Sequence, residues 1–211
     1  MAGQPAESGP NTDRPAIVLA SASRARATML KAAGVAFTID EASIDEDEVK
    51  AALAAERATP PQVAETLAEL KALRVARRHP GSLVLGADQV LALDDALFDK
   101  PKDRADAARQ LAALAGKSHR LHSVAVVVRD GARLWHHGDM AELTMRPLTA
   151  EFIDLYLDRA GDAVTRSVGA YQLEGLGAQL FTRVRGDFFT VLGLPLLPLL
   201  GFLRGHGVVP A

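Results

Sequence analysis

The sequence predicts one α/β domain over residues 15–211, with a mixed twisted sheet, flanking helices and two lobes around a cleft. Helical and strand patterns alternate through most of the chain, and an antiparallel section interrupts them in the middle. No internal repeat or low-complexity linker divides the 211 residues, a length that supports a sizeable core. The first fourteen residues lack the apolar core of a signal peptide, and we expect a disordered tail over 1–14.

Buried-strand and capped-helix signals open the predicted domain. The continuous apolar run 16–20 is typical of a buried strand. A helix over 23–33 follows, with Ser21 or Ser23 as its cap and Gly34 at its end.

Two further helices are predicted before the centre of the chain. A second strand over 35–40 leads through an acidic loop into helices over 47–57 and 61–78. The longer helix has apolar residues at i, i+4 and i+7, which predicts a stripe facing the core. These residues are Val63, Leu67 and Leu70.

The central strand region spans 82–93 and reads as a strand pair or as one long bent strand. Gly86 in its middle allows another element to approach closely. A helix over 103–115 follows, capped by Asp103 and closed by Gly116.

The remaining pattern is an antiparallel pair followed by mixed elements. Strands over 119–128 and 133–145 flank the turn 129–132. After them we expect a helix over 150–158 capped by Thr149, a strand over 178–184 and a terminal helix.

Composition excludes several classes of function. A net charge of −2 gives no global basic field, and we expect no nucleic-acid partner. The longest apolar stretch, 188–203, is too short for a typical span and contains prolines, so we expect no membrane partner. With no cysteine, thiolate metal sites and disulfides are excluded, and a reducing, cytoplasmic location fits.

The stretch LASASRARATML, residues 19–30, combines a strand end, a polar turn and a helix start. Amide groups at a helix start favour an anion, and Ser21 and Ser23 add hydroxyl donors. Arg24 and Arg26 add guanidinium groups suited to phosphate. The stretch predicts a polyphosphate site without a P-loop; the alternative is a capped helix with solvated arginines.

Asp88 directly follows the buried run LVLGA. A carboxylate there is costly to bury unless it is paired, hydrated or bound to a cation, which favours a general base for water or a metal ligand. The alternative is a strand-end residue. Gln89 has both a donor and an acceptor for a base edge, and Lys100 and Lys102 either neutralise phosphate or lie in a solvated loop.

Two further segments supply carboxylates. In the acidic run 44–48, Glu46 or Asp45 is a candidate to bind Mg²⁺ or Mn²⁺ together with Asp88; the alternative is an exposed loop. In the glycine-containing segment 169–181, Glu174 has two acceptors for a guanine edge; the alternative there is a loop without a ligand.

The motifs LASASRAR, IDE, GADQVLAL, KPKD, LAGKSH and GAYQLEGLGAQLF occur in the order found in the Maf family, which the sequence resembles from about Ala16 to Leu203. That resemblance implies a fold related to inosine-triphosphate pyrophosphatase, a divalent cation (Mg²⁺ or Mn²⁺) and often a homodimer. It also implies hydrolysis of a nucleoside triphosphate between the α and β phosphates, giving a nucleoside monophosphate and pyrophosphate.

The resemblance also assigns residues. Arg24 replaces the proline of the family's S-x-S-P opening, and Ala25 lies where an arginine or bulky residue is common. Arg26 is therefore the better phosphate ligand. Implied positions are Asp88 as general base and metal ligand, Glu46 as metal ligand, and Ser21, Ser23, Arg26, Lys71, Lys100, Gln89 and Glu174 as substrate-binding residues.

Gln89 and Glu174 resemble the branch that acts on 7-methyl-GTP, because members acting on dTTP or UTP usually have ADT and a glutamine at these places. A carboxylate also favours the positive charge of a methylated guanine. The alternatives are a dTTP/UTP pyrophosphatase of the same family, a non-catalytic nucleotide-binding regulator of cell division, and another small-molecule hydrolase on the same fold.

Overall fold

The computed structural model describes residues 16–94 and 96–210 and has the predicted mixed α/β architecture. The predicted tail over 1–14 lies outside the described residues. A seven-stranded sheet has the order β2-β1-β3-β5-β6-β7, with β4 paired to β3. The strands are β1 (Ile17–Leu19), β2 (Thr38–Ile39), β3 (Leu83–Leu93), β4 (Ala96–Phe98), β5 (Ser118–Arg129), β6 (Ala132–Met145) and β7 (Phe181–Arg185).

The helices lie close to their predicted positions, and several begin at the predicted caps. Ser23 accepts a hydrogen bond from the Arg26 amide, Asp103 from the Asp106 amide, and Thr149 from the Phe152 amide. The helices are α1 (Arg24–Ala32), α2 (Glu46–Ala55), α3 (Pro60–Ala76), α4 (Arg104–Leu114), α5 (Ala150–Ala160), α6 (Phe188–Val191) and α7 (Leu196–Gly205). No helix among the described residues is both long and apolar enough to cross a bilayer.

Strand β3 is one continuous strand and joins the parallel and antiparallel parts of the sheet. It pairs in parallel with β1 and antiparallel with β5. Strands β5 and β6 form the predicted hairpin, whose turn residues Asp130 and Gly131 both have positive φ, at 50° and 79°. Two positive φ angles match the right-handed twist of the flanking strands.

Helix α3 packs directly on β3 because Gly86 has no side chain. A Cβ at Gly86 would lie 2.1 Å from the Ala68 carbonyl oxygen and 2.8 Å from the Ala72 nitrogen. The buried face of α3 is correspondingly rich in alanine. The predicted stripe was wrong at Leu70, which is 36% exposed, because the contact of Ala68 and Ala72 with Gly86 sets the buried face of α3 and leaves position 70 outside it.

The segment between α5 and β7 contains three short 3₁₀ turns, Gly161–Thr165, Val168–Ala170 and Leu176–Leu180. The strand predicted over 178–184 therefore begins only at Phe181. A Cβ at Gly177 would lie 2.4 Å from the Gln172 carbonyl oxygen. This close backbone approach is possible because Gly177 has no side chain.

Candidate active site

Three charged residues from separate elements meet on the α3 side of β3. Lys71 Nζ lies 2.6 Å from Asp88 Oδ1 and 2.7 Å from Glu46 Oε1. Asp88 and Lys71 are 7% and 8% exposed, whereas Glu46 is partly exposed at the start of α2. Alternate residues of a strand face the same side, so the contact at Gly86 brings Lys71 to Asp88.

The two carboxyl groups of this cluster have opposite pKa shifts. Burial raises the pKa of Asp88, although the charges of Lys71 and Arg26 oppose the rise. For Glu46, partial burial acts upward, but the hydrogen bond and charge of Lys71, with the charges of Lys50 and Lys100, hold its pKa below the ordinary value. Asp88 is thus the better proton acceptor of the pair.

Arg26 is buried at the start of α1 and makes its side-chain hydrogen bonds to neutral oxygens. Its Nε donates to the Gly193 carbonyl at 2.8 Å and its Nη1 to Ser21 Oγ at 2.9 Å. Burial lowers the pKa of Arg26, and the charges of Asp88 and Glu46 oppose this effect. Among the described residues, no carboxylate forms a salt bridge with this guanidinium.

The serines beside Arg26 accept hydrogen bonds through their oxygens. Ser21 Oγ accepts from the Ser23 amide, and Ser23 Oγ accepts from the Arg26 amide. Their hydroxyl protons are therefore free to be donated to an anion. Arg24 is exposed, so the structure brings Arg26 and not Arg24 into this cluster.

Gln89 uses its amide nitrogen within the protein. Nε2 donates to Ser123 Oγ at 2.9 Å and to the carbonyls of Thr190 and Val191 at 3.0 Å each. From the sequence, both the amide N–H donor and the carbonyl acceptor of Gln89 were candidates to contact a base edge. In the structure only the acceptor Oε1 remains for a ligand. The predicted contact of Gln89 with a base is therefore limited to accepting a hydrogen bond.

Glu174 and Gln89 lie on the wall of one small cavity of about 50 Å³. Ala25 also lines it. Glu174 itself is exposed. The other lining residues are Leu121, Ser167, Val168, Tyr171, Gln172, Leu173, Val191 and Leu192.

A buried polar pair supports this cavity wall. His119 Nε2 lies 2.7 Å from the Tyr171 hydroxyl, and burial lowers the pKa of His119 to about 4. The Tyr156 hydroxyl donates to the Ala170 carbonyl. Gly169 contributes to the packing, because a Cβ there would lie 2.6 Å from the Tyr171 ring.

Sequence reasoning did not identify Ser123 and Thr190, which fix Gln89 in place. Ser123 Oγ donates to the Thr190 carbonyl at 2.8 Å, and Thr190 Oγ1 donates to Asp139 at 2.8 Å. A polar residue inside the apolar run of β5 was the signal for Ser123. Lys100 is exposed; its charge contributes to lowering the pKa of Glu46.

Two carboxylates of the cluster, Glu46 and Asp88, are the candidate ligands of a divalent cation. No group of three or more acidic, histidine or cysteine side chains suited to a metal occurs in the part of the chain that the structure describes. Mg²⁺, however, is usually bound by one or two carboxylates, with substrate phosphates as further ligands. Glu46 and Asp88, which both contact Lys71 Nζ, fit such a cation when phosphate supplies the remaining oxygens.

Comparison with known proteins supports the sequence resemblance. A family model described as Maf-like protein matches residues 16–206. The chain is 62% identical to a nucleoside triphosphate pyrophosphatase of Paramagnetospirillum magneticum, over 90% of this chain and 98% of the relative. It is 53% identical to the 7-methyl-GTP pyrophosphatase of Rhizobium etli, over 92% and 98%, and 51% identical to that of Brucella abortus, over 89% and 94%.

Proposed function

The chain belongs to the Maf-like protein family, and on that premise we propose that it hydrolyses nucleoside triphosphates to nucleoside monophosphates and pyrophosphate. The names of its relatives support this hydrolase class, which acts on acid anhydrides. The proposed substrate is 7-methyl-GTP or a related modified nucleotide.

The observation that carries the proposal is that a buried guanidinium, Arg26, lies near a buried carboxylate, Asp88, that can act as a general base. Arg26 is 8% exposed and donates to neutral oxygens only, so a phosphate would supply a counter-charge in direct contact, in addition to the nearby charges of Asp88 and Glu46. The charge of Arg26 is close enough to act on the pKa of Asp88. We therefore expect a single triphosphate to reach both groups.

Asp88 accepts the proton in the proposed reaction. Lys71 holds Oδ1, and Oδ2 accepts no hydrogen bond from residues 16–94 or 96–210, which leaves it available to a water. The water oxygen bonds to the α-phosphorus while its proton passes to Asp88. The bond from that phosphorus to the bridging oxygen breaks, and pyrophosphate leaves with the electron pair.

The remaining residues bind and orient the substrate. Ser21, Ser23 and Arg26 would hold the phosphates at the start of α1, and Lys100 would add positive charge. Glu46 and Asp88 would bind Mg²⁺ or Mn²⁺, which supplies Lewis-acid stabilisation of phosphate charge when bound.

Base selection is assigned to the cavity that contains Gln89 and Glu174. Glu174 offers two acceptors to the N1–H and exocyclic amine of guanine, and its charge favours a cationic methylated base. Gln89 Oε1 adds one more acceptor. A pyrimidine lacks this donor pair, so the wall favours guanine-type substrates.

A panel of nucleotides with and without Mg²⁺ or Mn²⁺ tests the proposal through pyrophosphate release. We expect cation-dependent release that is fastest with 7-methyl-GTP. A preference for dTTP or UTP would place the chain in the pyrimidine branch. Nucleotide binding without release would contradict hydrolysis and support a regulator of cell division.

A homodimer and a cytoplasmic location, without nucleic-acid or membrane partners, are further parts of the proposal. Light scattering coupled to size-exclusion chromatography measures the assembly. A mass of about twice 22.4 kDa is expected; a mass of one chain would contradict the homodimer.

A further inference from the structure

Helix α2 carries a second cleft residue, Lys50, one turn after Glu46. Residues four apart share a helix face, so Lys50 follows Glu46 along the side of α2 that faces the charged cluster. Lys50 Nζ lies 2.5 Å from Asp99 Oδ1. Asp99 precedes Lys100 in the segment between β4 and α4.

The Lys50–Asp99 pair is asymmetric in exposure. The lysine side chain is 25% exposed, whereas that of Asp99 is 62% exposed. Burial acts to lower the pKa of Lys50, but the hydrogen bond and charge of Asp99 raise it, with smaller contributions from Glu46 and Asp88. The ammonium group is thus held charged within electrostatic range of the catalytic cluster.

Helix α2 packs on the core through the partly buried Val49 and Leu53, and its charged side chains lie near the surface, where they can change partners. None of its residues is fully buried. Its ion pairs among the described residues join Glu46 to Lys71 on α3 and Lys50 to Asp99. A partly exposed pair of this kind contributes only ~0–1 kcal/mol, because the solvent around Asp99 screens the two charges.

From this geometry we propose that Lys50 is a further ligand of the substrate's polyphosphate and that Asp99 is the partner it leaves when nucleotide binds. The proposal rests on the proposed function, since it adds a residue to the same site. A triphosphate carries several negative charges and competes effectively with one exposed carboxylate. Asp99 then keeps Lys50 ordered and oriented between turnovers.

Opposite effects of two single substitutions test this proposal. Lys50→Met removes the phosphate ligand, and we expect the KM for nucleotide and the Ki of inorganic tripolyphosphate to rise about tenfold. Asp99→Asn frees Lys50 from its competitor, so both constants are expected to fall, by up to about fivefold. Lys117→Met, at an exposed position immediately before β5, is the matched control and is expected to change neither constant.

A purely structural pair gives a different result. If the pair only tethers α2, both substitutions break the same contact and shift the constants in the same direction. That result overturns the inference. So does a Lys50→Met variant whose KM for nucleotide and Ki for tripolyphosphate equal those of Lys117→Met.

Calorimetric titration of each variant with tripolyphosphate separates this inference from the proposed function. Such titration reports phosphate binding without turnover. Wild-type protein that binds tripolyphosphate through Lys50 but releases no pyrophosphate contradicts the proposed function and leaves the inference supported. If the protein is active but Lys50→Met leaves its affinity for tripolyphosphate unchanged, the proposed function is supported and the inference about Lys50 is overturned.

Discussion

The two ends of the candidate site are built differently. At the phosphate end, Asp88, Lys71 and Arg26 are buried on regular strands and helices and are linked to neighbours by ion pairs or hydrogen bonds. At the base end, Glu174 is exposed on a segment of 3₁₀ turns. Under the proposed function, the phosphate end would therefore be preorganised for chemistry, whereas the base end would tune which nucleotide is accepted.

The largest effect is expected at the phosphate end, from Asp88→Asn. Loss of a positioned general base lowers kcat by ~10²–10⁴-fold, while nucleotide binding is retained. Steady-state kinetics and calorimetric binding measure the two effects separately. Asp154→Asn, in an exposed ion pair on α5, makes the same chemical change and is expected to be silent. Wild-type turnover in Asp88→Asn would eliminate the assigned base.

Lys71→Met tests whether the buried ion pair supports the fold. The change leaves the Asp88 carboxylate buried without its cation, and we expect a loss of ~3–5 kcal/mol in the free energy of unfolding. Urea denaturation measures the loss. The double variant Lys71→Met/Asp88→Asn removes both charges and should recover part of it. A loss below ~1 kcal/mol in the single variant would contradict the prediction, because it is the value expected for a solvent-exposed ion pair.

His119 makes the base end sensitive to acid. Because burial lowers its pKa from 6.5 to about 4, the unfolded chain binds more protons than the folded one between these values. Its stabilising effect is complete above pH 6.5 and is lost as the pH falls toward 4, by on the order of 1–3 kcal/mol. Thermal unfolding from pH 7 to 4.5 should show a steeper decline for the wild type than for His119→Gln; equal slopes would contradict the prediction.

The smallest effect is expected from Glu174→Gln. The exposed carboxylate loses its charge and one acceptor, so kcat/KM for 7-methyl-GTP should fall about tenfold, with little change for UTP. Glu56→Gln, at the exposed end of α2, is the control. Equal losses for purine and pyrimidine substrates would remove Glu174 from base selection and weaken the contrast between the two ends.

Local rules predicted much of the fold from the sequence. Ser23, Asp103 and Thr149 are helix caps as expected, because capping depends on a few neighbouring residues. The turn at Asp130 and Gly131 follows for the same reason. The failure at Leu70 has a non-local cause, since the phase of α3 is set by its contact with Gly86 on another element.

The sequence reveals the charged residues of the candidate site but not the hydrogen bonds that hold them in place. Asp88 and Arg26 stand out locally as charges beside apolar strands. The bond from Arg26 to Gly193 joins residues 167 positions apart, and Gln89 reaches Thr190 across 101 positions. Such partners depend on the complete sheet, so sequence spacing alone did not reveal that the amide nitrogen of Gln89 is already committed.

Because Gly86 has no side chain, α3 lies close enough to β3 for Lys71 to reach Asp88. Helix and strand touch through bare backbone at that point, and two residues further along the same strand lies Asp88. Enlarging either surface would move α3 away from β3 and lengthen the contact between Lys71 and Asp88. A single added methyl group at position 86 would therefore disturb the candidate site from outside the cavity, through the spacing of one helix and one strand.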